Sequence, residues 1–152
     1  MKKYIIRRKY YYLLISPIIL FYSCNLFTPT ISTYDSYAYT QTTSIKVDAI
    51  NLMGMATEDY QSHKTDIAAV QNNIQKIYEY EKHRTHDTIT VRQWKLLTDT
   101  TGHLFGGFII KWRKEKQLDK VYIQDKEKQV GFAFDQIAEL ESKKIQPSNI
   151  KN

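Results

Sequence analysis

The sequence predicts an all-α protein in which a long first helix packs against two shorter helices. Three patterns lead to this prediction. Apolar residues recur at alternating spacings of three and four along residues 43–84, the same period returns after residues 90 and 118, and alternation with a period of two occurs only at 88–91 and 132–134. Amphipathic helices with short connections favour an antiparallel three-helix bundle. The alternative is a helical hairpin that completes its core by dimerising.

Residues 1–23 have the pattern of a bacterial export signal. Five basic residues precede an apolar run over residues 10–22, and Ser23 is a small residue directly before the only cysteine, Cys24. This run of 13 residues, which contains Pro17, is shorter than the roughly 20 residues that span a bilayer. We therefore predict a lipoprotein signal peptide over 1–23, with Cys24 as the lipidated N-terminus of the mature chain.

The charge of the chain depends on whether this signal is removed. The whole chain has 22 Lys and Arg against 16 Asp and Glu, but residues 1–23 hold five of the basic residues and no acidic ones, which leaves a net charge of +1. Clustered Lys and Arg that neutralise phosphates are typical of nucleic-acid binding. Because the basic excess lies in the signal, we predict no nucleic-acid partner. The remaining 129 residues suit one domain.

Residues 24–41 are predicted to be the lipidated Cys24 followed by a flexible tether, because this stretch is rich in Thr, Ser and Tyr and has no helical period. No Asp follows Cys24, so the stretch lacks the best-known inner-membrane retention signal, and we expect an outer-membrane anchor on the periplasmic or surface face. The helical domain is expected over 42–146. Residues 147–152, which begin with a proline, are expected to be a disordered tail.

The first helix is predicted to run from Thr43 to Arg84. From Ala56 to Ile77 the steps between apolar positions average 3.5 residues, which is the heptad spacing of coiled-coil packing. Such a helix spans about 63 Å and needs a partner along its length, because burial of one face supplies most of its stability. The stripe expected to face that partner comprises Ala49, Leu52 or Met53, Ala56, Tyr60, His63, Ile67, Val70, Ile74 and Ile77.

The second helix is predicted to start at the capping-box pattern Thr90-Val91-Arg92-Gln93. Trp94 and Trp112 are 18 residues apart, which is about five turns, so both indoles share one face. Three glycines weaken this helix, and we expect it to continue through them: Gly102, Gly106 and Gly107. Its stripe comprises Trp94, Leu97, Thr101, Leu104 or Phe105, Phe108 and Trp112.

The third helix is predicted to start near Leu118, with Asp119 as its N-cap, and to end before Pro147. Its apolar stripe comprises Tyr122, Val130, Phe134, Ile137 and Leu140. Its middle is polar over residues 124–129.

Few residues of the mature chain point to chemistry. Four histidines are present, and His83 and His86 are close enough to share a helix face, with Glu79 one turn earlier. A zinc site lacks its usual ligand set, because the cysteine is assigned to the lipid and no His-Glu-x-x-His pattern occurs. We therefore predict no metal, no cofactor and no catalytic residue, hence a protein that is not an enzyme. His63 is interpreted as a hydrogen-bonded core histidine.

One basic cluster in the mature chain surrounds Trp112. At helical spacing Trp112 faces the core while the charges face solvent, so a solvated helix end is the simpler interpretation. The functional alternative is an interaction surface that contacts anionic lipid or sugar. The candidate residues of this surface are Lys111, Arg113, Lys114 and Lys116.

Two triplets, residues 87–89 and 99–101, resemble the Asp-Thr acceptor for O-glycosylation in exported proteins of the Bacteroidetes type. The first triplet lies in the hinge expected between the first two helices. Thr88 is therefore the better candidate acceptor.

Several segments of the chain resemble bacterial lipoproteins. Phe21-Tyr22-Ser23-Cys24 resembles the relaxed lipobox of Bacteroidetes-type lipoproteins. A group of small uncharacterised lipoproteins of that type is similar along most of the mature chain, on the segments Leu52-Met53-Gly54-Met55-Ala56, Trp94-Lys95-Leu96-Leu97, Gly106-Gly107-Phe108, Phe134-Asp135-Gln136-Ile137 and Leu140-Glu141. The resemblance implies the bacterial cell envelope as the compartment. It implies no activity and no catalytic residue.

These patterns lead to two hypotheses of different classes. The first is a lipid-anchored, non-enzymatic helical module that binds another envelope protein, with a homodimer as a further arrangement. The second is a module that binds cell-wall or surface glycan, with Trp94 or Trp112 stacking on sugar rings together with exposed tyrosines. Burial of the two indoles distinguishes them, since stacking on a sugar requires an exposed ring face.

Overall fold

The computed structural model describes residues 34–84 and 88–142, and this part of the chain forms a bundle of five α-helices without strands. The predicted all-α class is therefore confirmed. The signal segment, Cys24 and the predicted tail lie outside the described residues. The helices are α1 (Ser36–Gly54), α2 (Lys64–His83), α3 (Thr88–Thr98), α4 (Phe105–Glu115) and α5 (Lys120–Glu141), with two 3-10 turns, Met55–Thr57 and Tyr60–His63, between α1 and α2.

Helix α1 begins earlier than the sequence pattern predicts. Asp35 is its N-cap, and the carboxylate accepts hydrogen bonds from the backbone N–H groups of Tyr37 and Ala38 at 2.9 and 3.1 Å. Residues 36–41, predicted to be part of the tether, are therefore helical. The sequence pattern does not reveal this start, because tertiary packing stabilises it. Ala38 and Thr42 are fully buried, and their packing outweighs the weak helix propensity of the Thr-rich segment.

The single helix predicted over 43–84 is divided into α1 and α2, which fold back against each other. Its predicted stripe is buried along both helices, so the pattern identified the core correctly and the path of the chain incorrectly. The bend is held by residues 112–118, and we call residues 55–63 together with 112–118 the corner. Three hydrogen bonds join its two halves: Tyr60 N to Lys116 O at 2.8 Å, Leu118 N to Ala56 O at 2.8 Å and Trp112 Nε1 to Glu58 O at 3.0 Å.

The second predicted helix is also divided, into α3 and α4, by a turn over residues 99–104. A Cβ atom at Gly106 would lie 2.2 Å from the carbonyl oxygen of Thr98, and one at Gly107 would lie 1.9 Å from that of Gly102. The two glycines therefore let the start of α4 pack directly on the backbone of the turn, where any side chain would clash. The expectation of a continuous helix through them is wrong.

The helix starts show one correct and one incorrect prediction of a cap. Asp119 caps α5, since its carboxylate accepts from Val121 N at 2.8 Å and Tyr122 N at 3.2 Å. The capping box at residues 90–93 is wrong, because α3 starts at Thr88 and Thr90 is buried inside the bundle.

Helices α1 and α5 form the longest contact of the bundle and run antiparallel. Lys46 pairs with Asp135, whereas Gly54, further along α1, lies next to Glu127. Helix α2 packs against α1, and α3 contacts both α2 and α5. The bundle thus has two ends, one at the start of α1 and one at the corner.

Lys116 adopts φ 69° and ψ −41° in the turn after α4, a backbone conformation that residues other than glycine rarely occupy. We expect Lys116→Gly to raise the free energy of unfolding by about 1 kcal/mol, because glycine enters this conformation without strain. Urea unfolding followed by circular dichroism measures the change. Lys114→Gly is the matched control. It lies in the exposed last turn of α4 and is expected to lower stability by about 1 kcal/mol.

Candidate functional site

The four candidate residues of the basic surface have different surroundings. Lys111 is paired with Glu115 at 2.6 Å and lies 5.0 Å from the ring centre of Tyr122, and the hydrogen bond to Glu115 raises the pKa of Lys111. Arg113 and Lys114 are exposed on the last turn of α4. Lys116 is also exposed, and its backbone holds the corner. Three solvated cations at a helix end are typical of an ordinary surface.

Both tryptophans are completely buried, which removes the stacking platform of the glycan hypothesis. Trp94 packs edge-to-face on Phe134 with ring centres 5.8 Å apart. Trp112 lies on the core face of α4, as its helical spacing predicts, and contacts Phe108 and Tyr60. Their role in the described structure is to fill the core.

His63 lies at the corner with its side chain 13% exposed. Its Nε2 lies 3.0 Å from Glu58 Oε2 and its Nδ1 lies 3.4 Å from Asp66 Oδ2, with the ring 5.7 Å from that of Trp112. The hydrogen bond to Glu58 is the main cause that raises the pKa of His63 above its usual 6.5, with a smaller contribution from Asp66. The sequence-based interpretation of a hydrogen-bonded core histidine is correct in the hydrogen bonds, but His63 is only partly buried and lies at the edge of the core against Trp112.

This histidine predicts a pH dependence of stability. Since its pKa is raised in the folded protein, its contribution is fully present below the unfolded pKa of about 6.5 and is lost as the pH rises through the folded pKa. We expect the free energy of unfolding to fall more in the wild type than in His63→Gln between about pH 6 and pH 8.5. Parallel pH profiles of the two proteins in urea unfolding would contradict a stabilising imidazolium at this position.

A buried charged network occupies the other end of the bundle. Arg84 Nη1 donates to Glu81 Oε2 at 2.9 Å and to Glu141 Oε2 at 2.6 Å, and both glutamates are almost fully buried. The hydroxyl of Thr90 donates to the other oxygen of Glu141 at 3.3 Å. These contacts join the ends of α2, α3 and α5. We call Asp35, Tyr80, Glu81, Arg84, Thr90 and Glu141 the charged network.

The outer part of the charged network ties in the start of α1. Tyr80 donates its hydroxyl proton to Asp35 Oδ2 at 2.5 Å, which lowers the pKa of Asp35 and raises that of Tyr80. Arg84 Nε lies 3.9 Å from the same carboxylate oxygen. Burial by itself would lower the pKa of Arg84, but the hydrogen bond to Glu141 and the charges of both glutamates outweigh it and raise that pKa. The guanidinium therefore stays charged.

The sequence reasoning missed this network, although a signal for its two glutamates exists. The spacing of four residues that links apolar positions continues from Ile77 to Glu81 and from Ile137 to Glu141. Acidic residues at the end of a buried stripe indicate a buried ion pair, since an unpaired carboxylate is costly to bury. No spacing rule identifies Arg84 as the shared partner, because Glu141 is 57 positions away in the sequence.

An open groove of about 700 Å³ runs between α1 and α5. Lys46 and Ile50 form its wall on α1, while Gly131 and Phe132 form its centre on α5. A Cβ at Gly131 would meet Lys46 and Ile50 at 3.7 and 3.8 Å, which is ordinary contact, so the fold does not require glycine here. Gly131 itself is buried, whereas Phe132, next to it in sequence and also lining the groove, is 62% exposed. We call this surface the α1/α5 groove.

The remaining predicted sites are placed as follows. Thr88 is exposed and is the first residue of α3. Cys24 and His86 lie outside the described residues. Among the residues described, no group of three or more His, Cys, Asp or Glu side chains is arranged to hold a metal ion. Within the same part of the chain, no helix has both the length and the apolar character needed to cross a membrane.

The protein cannot be assigned to a class by similarity. No family model matches the chain, and neither a curated protein nor a solved structure matches it. The residues and surfaces of this chain therefore carry the functional proposal.

Proposed function

We propose that this protein is a lipid-anchored, non-enzymatic helical module of the bacterial cell envelope that binds a protein partner through the α1/α5 groove. The signal pattern of residues 1–23 and the lipobox-like sequence before Cys24 support the anchor. The observation that carries the binding role is the open groove, which has the exposed Phe132 in its lining. We further propose the outer membrane as the site of anchoring.

The composition of the groove supports a protein ligand. Its lining combines the apolar side chains of Ile50 and Phe132 with charged side chains of both signs. Protein interfaces also combine apolar and polar groups, and buried aromatic residues supply much of their binding energy. Within the charged network, by contrast, the carboxylates of Glu81 and Glu141 are buried and hydrogen-bonded to Arg84, which supports a stabilising role for them.

The anchor is tested by the intact mass of the protein recovered from the membrane fraction. We expect a chain that starts at Cys24 and carries added acyl mass, and a Cys24→Ala variant that has no acyl mass and leaves the membrane fraction. Several acyl chains hold a protein on a bilayer where a single chain does not. An unacylated wild-type chain in the soluble fraction would disprove the anchor.

The contact surface is tested separately by photo-crosslinking in cells. A photoreactive amino acid in place of Phe132 is expected to give a discrete adduct to protein. The control position is Val121, which is 73% exposed on the same helix and does not line the groove. Equal adduct yields at the two positions, or none at Phe132, would show that the groove is not a binding surface.

A further inference from the structure

We infer that the partner seated in the α1/α5 groove is a second copy of this chain, related to the first by a two-fold axis. This inference rests on the proposed function only in taking the groove as the contact surface. A two-fold interface places one surface patch against the same patch of another copy, so that patch must complement itself in charge and in shape. The groove meets both requirements.

The charges of the groove are balanced. Lys46 and Lys128 line the groove together with Glu127 and Asp135, which gives equal numbers of positive and negative groups. Lys46 and Asp135 already pair across the groove, and both side chains keep exposed surface through which they can contact a second copy. When two such surfaces meet about a two-fold axis, each cation can be placed near an anion of the other copy.

The basic end of α4, in contrast to the groove, does not complement itself in charge. Arg113, Lys114 and Lys116 present one sign of charge towards solvent, so two copies of that surface would repel each other. A partner at that surface would have to be acidic. Self-association is therefore assigned to the groove and not to the basic end of α4.

The shape of the groove is also self-complementary. Phe132 is exposed on α5 and lines one side of the groove, and Lys46 and Ile50 of α1 line the other side. Apposition of two α5 helices about an axis near Phe132 places each phenylalanine over the other copy's groove. Two phenylalanine rings are then removed from water, and this burial is the main source of affinity in such a contact.

The test is co-purification of two differently tagged full-length copies from one cell, after extraction in mild detergent. We expect the wild-type pair to co-purify, and Phe132→Ser in both copies to reduce the yield of the pair on the order of 10-fold or more. Phe132→Ser in only one copy removes one of two equivalent contacts and is expected to give an intermediate yield. Val121→Ser is the matched control and should leave the yield unchanged, because Val121 lies outside the groove.

A second variant changes the lining of the same groove. Gly131→Leu adds a side chain beside Lys46 and Ile50, where it narrows the groove that the other copy's phenylalanine would enter, and it is expected to reduce the paired yield as strongly as Phe132→Ser. Far-ultraviolet circular dichroism and the melting temperature report whether Gly131→Leu stays folded. Phe132→Ser, at an exposed position, keeps the inference testable even where Gly131→Leu does not fold.

The outcomes separate this inference from the proposed function. Wild-type copies that fail to co-purify, or that co-purify equally well with Phe132→Ser, overturn the second-copy inference. The latter result identifies two lipoproteins that only share a detergent micelle. A crosslink from position 132 to a different protein leaves the groove as a contact surface and overturns the identity of the partner. Absence of any crosslink from position 132 overturns both the groove as a contact surface and the second copy as its partner.

Discussion

Replacing Arg84 by methionine is expected to lower the free energy of unfolding by about 3–5 kcal/mol. The guanidinium contacts Glu81 and Glu141, which are 0% and 2% exposed, so its removal leaves two buried carboxylates without the cation that both of them contact. An ion pair of this kind adds little to stability when it is intact, but removal of one partner is costly because the other charges remain desolvated. Urea unfolding of the purified protein measures the loss.

The matched control for this substitution is Arg92→Met. Arg92 is an exposed arginine on α3, and its replacement is expected to change stability by no more than about 0.5 kcal/mol. A second substitution tests the cause of the loss. Glu81→Gln in the Arg84→Met background removes one buried charge and should restore part of the stability. If Arg84→Met proves no more damaging than Arg92→Met, the charged network does not hold the end of the bundle together.

The second large effect is expected for Trp112→Phe, which should lower stability by about 3 kcal/mol. The indole Nε1 of Trp112 donates to the carbonyl oxygen of Glu58 at 3.0 Å, so the substitution leaves a smaller ring in the core and a carbonyl without its donor. It also removes one of the three hydrogen bonds that hold the corner. Thermal and urea unfolding, with the near-ultraviolet dichroism of the remaining tryptophan, report this change.

Trp94→Phe provides the comparison with the same chemical change. Trp94 is equally buried, but within the part of the chain that the structure describes its Nε1 has no hydrogen-bond partner. Its replacement removes a buried unsatisfied donor along with part of the ring, and these two effects oppose each other. We expect a loss of about 1 kcal/mol. Equal losses for the two variants would argue against a stabilising bond between Trp112 and Glu58.

The sequence was sufficient to predict the helical class and most of the core, because both depend on local periodicity. Ile67, Val70, Ile74 and Ile77 are buried as their spacing predicts, and Asp119 caps α5. The path of the chain was harder to predict. The heptad spacing continues without interruption across residues 55–63, where the chain in fact turns back. Period alone cannot reveal this bend, because the groups that hold it come from residues 112–118.

The candidate sites divide in a similar way. Patterns along the chain predict Cys24 and the basic residues around Trp112 as candidate sites, and the helical spacing correctly places the indole on the core face. The α1/α5 groove was not predicted, because Gly131 and Lys46 become neighbours only when α1 and α5 pack together. A glycine within a helix is a weak signal by itself. Gly131 becomes informative only in the packed structure, where a Cβ would be in ordinary contact with Lys46 and Ile50 of α1.

The corner also determines the order in which the fold can form. Glu58 and Trp112, which bond across it, are 54 positions apart, so a chain made from its N-terminus exposes residues 36–84 before the residues that hold their bend have been synthesised. During that interval the heptad spacing of residues 56–77 favours a straight helix. Two incomplete chains can then pair along this apolar stripe. We therefore expect docking of α4, which brings residues 112–118 to the corner, to disfavour domain-swapped pairing. Substitutions that slow this step are expected to increase misassembly even when they barely change the stability of the finished protein.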